Sequence, residues 1–298
     1  MDTLRSTIKS PLGAGFTLVE LCIVLVIIGL IIGGVLVGRD LISAAGVRAQ
    51  VSQIETFNTA VNTFSGKYGY LPGDISAAPA TRFGFSPRGS YAGEGDGNGV
   101  IDGITADAPG SNNGDGYSAT GEEAMFWVDL SAANLIEGSF STATATDLPT
   151  LAQTEIPLYF PHSKAGGGSK GYIPSIRIIN DGSINYYSII SIQKVTAGTP
   201  TFSNNTLSAS QAYAIDAKID DGWPFYGQVQ DVYRKSGNTM SIYTSAGFPF
   251  ATVVPPTLAS AASATSCYDN GGVAGQKEHY SLAQGGEAAT CTLMIQFQ

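Results

Sequence analysis

The sequence predicts an α+β fold, in which one long N-terminal helix packs on a mainly antiparallel sheet. Three observations predict it. From Phe16 to Gly38 the chain reads FTLVELCIVLVIIGLIIGGVLVG, with Glu20 as its only charge. Val47, Val51, Ile54, Phe57, Val61 and Phe64 then recur at spacings of three and four, which draws one apolar stripe along a helix. Farther on, short alternating apolar runs are separated by turn residues such as Asn180-Asp181-Gly182, as in hairpins.

The first segment, at about 1.5 Å per residue, spans roughly 34 Å, enough to cross a hydrocarbon core of about 30 Å. A carboxylate inside it costs about 2.5–3.5 kcal/mol and signals a partner. Arg5 and Lys9 precede it and keep the N-terminus cytoplasmic. Gly13-Ala14-Gly15 are small and cleavable, and a cut after Gly15 places the Phe16 ammonium four residues from Glu20. An ordinary secretory signal is shorter in its apolar run, about 7–15 residues, and is cut after it. A plain anchor leaves Glu20 unexplained. Gly29, Gly33, Gly34 and Gly38 let membrane helices approach closely, at about 1 kcal/mol each relative to Ala.

The amphipathic half follows, with Arg48, Gln50, Ser52, Gln53, Glu55, Asn58 and Asn62 assigned to its polar face. Gly66 and Gly69 end the pattern, and Leu71-Pro72-Gly73 reads as a turn. The helix is expected from about Phe16 to Ser65, roughly 75 Å long. The expected organisation is therefore a leader (1–15), a transmembrane and stalk helix (16–66) and a globular head (67–298).

In the head, 72–117 is rich in Gly, Ala, Ser and Pro and reads as an irregular excursion. Thr120 to Glu123 has capping-box spacing and predicts a helix over Glu122–Ile136 stopped by Gly138, with Phe126, Trp127 and Leu130 in the core. Ser175–Ile179 and Ile184–Ile192 form the predicted hairpin. Ser208 to Gln211 repeats the capping spacing, and Ala212, Ile215 and Ile219 share a face of a helix that Gly222 would cap. Gly227–Tyr233, Met240–Thr244 and Cys291–Phe297 alternate like strands.

Formal net charge is −9, which excludes a nucleic-acid partner for want of a basic face. Cys22 lies in the apolar run, whereas Cys267 and Cys291 can form a disulfide worth roughly 3 kcal/mol or remain two free thiols. Glu94, Asp96, Asn98 and Asp102 alternate with glycines as in the first part of a calcium loop. Thr105 stands where that loop carries its bidentate Glu; Asn113 and Asp115 offer a completion. The other reading is a Gly/Asp turn that needs no ion. Asp220 and Asp221 sit at a helix end where the dipole disfavours them, and so read as a cation site or a solvated turn. His162 and His279 have no ligand spacing. The chain contains neither a G-x-S-x-G elbow nor a phosphate loop, so it is expected not to be an enzyme or to carry its own motor.

GFTLVEL at Gly15–Leu21 resembles the processing site of type IV prepilins and type II secretion pseudopilins: a short basic leader, Gly before the cut, Phe after it, Glu at the fifth mature position. The resemblance is confined to the N-terminal region. The chain is longer than a typical major pilin, and no Pro near Val37 kinks the helix. It implies a pilin-like fold with large insertions, and cleavage between Gly15 and Phe16 by a prepilin peptidase that methylates the Phe16 amine. It further implies assembly with other pilin or pseudopilin subunits by an inner-membrane platform and its ATPase, through Glu20. The precursor would lie in a bacterial inner membrane and the product in a periplasmic or extracellular filament. Calcium is an implied ligand of the head loops. The alternative is a membrane-tethered extracytoplasmic module that binds calcium or carbohydrate and never polymerises.

Overall fold

The structure is a computed structural model that describes residues 17–91, 93–103, 119–167, 172–180, 182–203, 206–231, 267–273, 275–282 and 289–297. The chain divides into two compact units, Met1–Ser43 and Ala44–Gln298. Helix α1 is Leu18–Tyr68. It runs three residues past the expected Ser65: Gly66 is tolerated inside it. Gly69 stops it by turning left-handed (φ 76°), with its N–H donating to the Ser65 carbonyl at 2.8 Å. Within the first unit, the apolar side chains from Leu18 to Ile42 are exposed.

Within the second unit, α1 buries Val47, Gln50, Ile54, Phe57, Ala60, Val61 and Phe64. The apolar stripe lies where its period places it, with Val51 half-buried. Gln50 does not belong to the polar face. It is fully buried, and its Oε1 accepts from Ser163 Oγ (2.7 Å), Lys164 N (2.8 Å) and Ala165 N (3.2 Å).

Two short helices precede the sheet. Helix α2, Ala77–Phe83, falls in the segment expected to be irregular; its Pro79 sits in the first turn, where no N–H is required. Helix α3, Gly121–Ala132, is shorter than expected. Asn134 takes the left-handed conformation (φ 56°), and the N–H groups of Asn134 and Leu135 bond back to Ser131 and Leu130, which closes the helix before Gly138 is reached. Thr120 is its N-cap but makes no capping bond. Phe126, Trp127 and Leu130 are buried as expected, and Phe57 packs on Trp127 (ring centroids 5.0 Å apart) and on Tyr187 (5.9 Å).

A 3-10 turn, Gln153–Leu158, leads to the hairpin of β1 (Ile173–Asn180) and β2 (Asn185–Thr196), in the register Asn180↔Asn185. Next come β3 (Thr199–Ser203), β4 (Leu207–Ser208), α4 (Ala209–Ile219) and β5 (Val229–Asp231). The capping box of α4 is complete: Ser208 Oγ accepts from Gln211 N, and Gln211 Oε1 from Ser208 N. Asp220, not Gly222, is its C-cap. The chain ends with β6 (Tyr268–Asp269), β7 (His279–Tyr280), β8 (Ala289–Cys291) and β9 (Leu293–Gln296). The expected terminal strand is thus two strands. β8 pairs with β4, and β9 lies between β2 and β5 in a five-stranded antiparallel sheet that β1 and β3 complete. Met240–Thr244 lies outside the described residues. Cys267 and Cys291 are joined by a disulfide.

The fold is α+β, with the second half of α1 and the sheet sharing one core. Phe57 lies at the centre of that contact. Phe57→Ala should cost about 3–5 kcal/mol, read as a lowered denaturation midpoint in urea with secondary structure retained below it.

Candidate functional site

Two regions concentrate polar chemistry, one exposed at the start of α1 and one buried in the second unit. The first is the start of α1. Thr17 N and Thr17 Oγ1 both donate to Glu20 Oε2, at 2.7 and 2.8 Å, and Glu20 N donates to Thr17 Oγ1 at 3.3 Å. Thr17-Leu18-Val19-Glu20 is therefore a reciprocal cap. The T-x-x-E spacing at Thr17–Glu20 is the sequence signal for this cap. Glu20 Oε1 has no donor among the described residues. Gly15 and Phe16 lie outside them. Among the described residues one helix, α1, is long and apolar enough to cross a membrane.

The second region is the acidic loop of 93–103. Asp74 and Glu122 are both buried. Asp74 Oδ1 accepts from Gly97 N (2.7 Å) and Asn98 N (3.1 Å), and its Oδ2 from Gly99 N (2.8 Å). Glu122 Oε1 accepts from Gly95 N (3.0 Å) and Asp96 N (3.2 Å), and its Oε2 from Asp102 N (2.8 Å). Six backbone donors of one loop thus close on two carboxylates. Gly73 permits this: its φ is 86°, and a Cβ there would lie 2.3 Å from the Glu122 carbonyl oxygen. Its N–H donates to Asp129 Oδ2 (2.7 Å), which is held in a fully buried ion pair with Arg88 (2.6 Å).

The structure brings Asp96 together with Asp74 and Glu122, their oxygens lying within 4.8 Å of one another. The other residues singled out in the sequence turn elsewhere. Glu94 Oε2 accepts from Tyr91 N, Asp102 Oδ1 from Asn180 Nδ2, and Asn98 Oδ1 from Val100 N. Thr105, Asn113 and Asp115 lie outside the described residues. The oxygens that face one another are thus those of Asp74, Asp96 and Glu122, and the amide donors account for the loop's conformation without an ion. Asp74 and Glu122 carried no sequence signal, because their partners lie about twenty residues or more away in the chain.

Burial pushes the Asp74 carboxyl up to about 6 despite its amide donors, and Glu122 well above its ordinary range, with Asp74 adding repulsion. The end of α4 repeats the pattern. Asp216 accepts from Tyr280 Oη (2.7 Å) and Gly222 N (3.0 Å), and burial raises it to about 7. Asp220 accepts from Gln228 N and Val229 N, and Asp221 from Trp223 N (2.8 Å), so both serve local turns. Beside them is a cavity of about 270 Å³ lined by Tyr213, Asp221, Gly222, Trp223, His279, Tyr280 and Leu282. His162 Nδ1 lies 3.0 Å from the Ser163 carbonyl.

No family model matches the chain, and no curated protein or solved structure matches it significantly.

The raised carboxyls set a pH dependence. Each folded pKa lies above the unfolded value of 3.8, so the folded state binds more protons between the two. That stability is full below about pH 4 and is lost as pH rises through about 6 for Asp74 and about 7 for Asp216. The melting temperature of the head should therefore be higher near pH 5 than near pH 7.5, and Asp74→Asn or Asp216→Asn should each flatten the profile.

Proposed function

We propose that the chain is a structural subunit of a type IV pilus or a related secretion pseudopilus, made as an inner-membrane precursor and assembled through its N-terminal helix. The observation that carries this reading is an exposed apolar helix whose first turn holds a carboxylate, Glu20, just past a cleavable Gly15-Phe16. In this proposal a prepilin peptidase cuts between Gly15 and Phe16 and methylates the new amine. Platform proteins driven by a separate ATPase then lift the subunit from the bilayer. Thr17 occupies Glu20 Oε2, and Oε1 remains for the Phe16 ammonium of a neighbouring subunit. Two charges desolvated together cost less than either alone, so the pair fixes axial register as well as holding subunits together. The helices bundle along their apolar faces, and the pilin-like heads lie outside.

The intrachain cap makes a sharper test than removal of the acid alone. Glu20→Gln keeps an acceptor for Thr17, as a capping box allows, but has no charge. It should be inserted and cleaved normally while sheared surface fibres fall roughly tenfold or more, the effect of about 1.4 kcal/mol per contact. Glu20→Ala should do the same and also fray the first turn. Gly15→Leu should leave the precursor uncut. Mass spectrometry of fibres should find a methylated Phe16 terminus. Wild-type yields of fibre from Glu20→Gln, or a mature chain beginning elsewhere, would refute the proposal.

A further inference from the structure

The cavity beside the end of α4 has no part in the proposed assembly. Its walls come from three places in the chain: Tyr213 on α4, Asp221 to Trp223 in the turn that follows, and His279, Tyr280 and Leu282 at and just after β7. Local contacts hold these walls in place. Tyr280 donates its hydroxyl to the buried Asp216 (2.7 Å) and packs edge-on against Tyr213, with ring centroids 6.0 Å apart. Gly222 N donates to the same Asp216 (3.0 Å) from a left-handed conformation (φ 76°), and a Cβ there would lie 3.1 Å from the Tyr213 ring. The turn is therefore drawn close against Tyr213, and this places Trp223. Lys277 Nζ braces the Trp223 ring at 3.7 Å and the Tyr226 ring at 4.1 Å. The rim stays open: Tyr213 is 43% exposed and Leu282 42%, although both are large and apolar.

Size and charge narrow the ligand. A volume of about 270 Å³ falls just below the range of roughly 300–1,000 Å³ found for drug-sized ligands, so it suits a single ring. An anion is disfavoured, because oxygens of Asp216, Asp220 and Asp221 lie within 4.8 Å of one another beside it. A cation is disfavoured in turn, because the Lys277 ammonium already draws on the Trp223 ring, the wall that would otherwise attract one. What remains is a neutral ligand with an apolar face and polar edges. A sugar ring has this character. Its C–H groups stack on the negative faces of aromatic rings, and its hydroxyls need hydrogen-bond partners once out of water. Asp221 Oδ1 accepts from Trp223 N (2.8 Å), which leaves Oδ2 for a hydroxyl. His279 Nε2 lies 3.4 Å from Asp269 Oδ1, and a proton on Nε2 makes Nδ1 a second acceptor.

We propose that this cavity binds one neutral sugar ring at the end of a glycan, with Tyr213 and Trp223 as aromatic walls and Asp221 and His279 as acceptors for its hydroxyls. The site does not rest on the filament reading. The same head would bind a sugar whether the chain polymerises or stays tethered, so failure of this proposal leaves that one standing.

The test uses the full chain in a detergent without a sugar headgroup. The probes are glucose, galactose, mannose, N-acetylglucosamine and N-acetylgalactosamine, with choline and inorganic phosphate as charged controls. Saturation-transfer NMR should show at least one sugar bound with a millimolar Kd, its ring protons receiving the saturation, and neither charged probe. Trp223→Ala and Asp221→Ala should each weaken that sugar roughly tenfold, through lost stacking and a lost charge-assisted hydrogen bond. Trp223→Phe keeps a ring and should bind within about threefold of wild type. Binding of no sugar in the panel would overturn the proposal. So would preferential binding of choline or phosphate, or an unchanged sugar affinity in both Trp223→Ala and Asp221→Ala.

Discussion

A carboxylate taken out of water must be given donors, and in this chain the backbone supplies most of them. Asp74 and Glu122 illustrate the consequence. Burial alone would make each a large liability. Their six amide donors come from one Gly-rich loop with little apolar content of its own, Ile101 being its main buried side chain. The acids therefore do for this loop what a hydrophobic core does elsewhere. They fix its path, and they draw the turn at Gly73 so close to α3 that no side chain fits there.

If α1 lies in lipid, as the filament proposal has it, the same constraint governs its start: the first N–H groups of a helix have no intrahelical acceptor, and water could not serve there. Thr17 and Glu20 meet part of that need between themselves. This weakens the argument that an acid in an apolar helix must have an external partner, since half of the carboxylate is explained from within. It strengthens a narrower one. A glutamine would cap equally well and would enter lipid more cheaply than an ionised acid, so the cap accounts for the acceptor but not for the charge. The charge is what the filament proposal explains.

Features with a local period were readable in the sequence. The α1 stripe follows from spacings of three and four, and the β1–β2 hairpin from Asn180-Asp181-Gly182 between apolar runs. Ser208 and Thr120 show where local reading ends. Both begin the same capping spacing, yet only Ser208 closes a box. At the start of α3, Glu122 is committed to loop amides about twenty residues or more away along the chain, and Thr120 Oγ1 reaches the Thr144 carbonyl. Gln50 fails for the same reason. Its polarity placed it on the solvent face, whereas its partners Ser163, Lys164 and Ala165 lie more than a hundred residues away. The calcium loop read from alternating acids divided likewise, because burial next to Asn180 and Tyr91 claimed Asp102 and Glu94 before they could face Asp96.

Satisfied and unsatisfied acids therefore mean different things in one fold. Where donors converge, backbone amides on Asp74 and Glu122 and an amide with a phenol on Asp216, the carboxylate is part of the architecture, and a cation would have to compete with donors already in place. Around Glu278 no donor is present among the described residues, and the preceding Lys277 rests over the rings of Trp223 and Tyr226 instead. Burial raises this carboxyl to about 7, so taking up a proton removes much of the charge that the fold would otherwise have to desolvate.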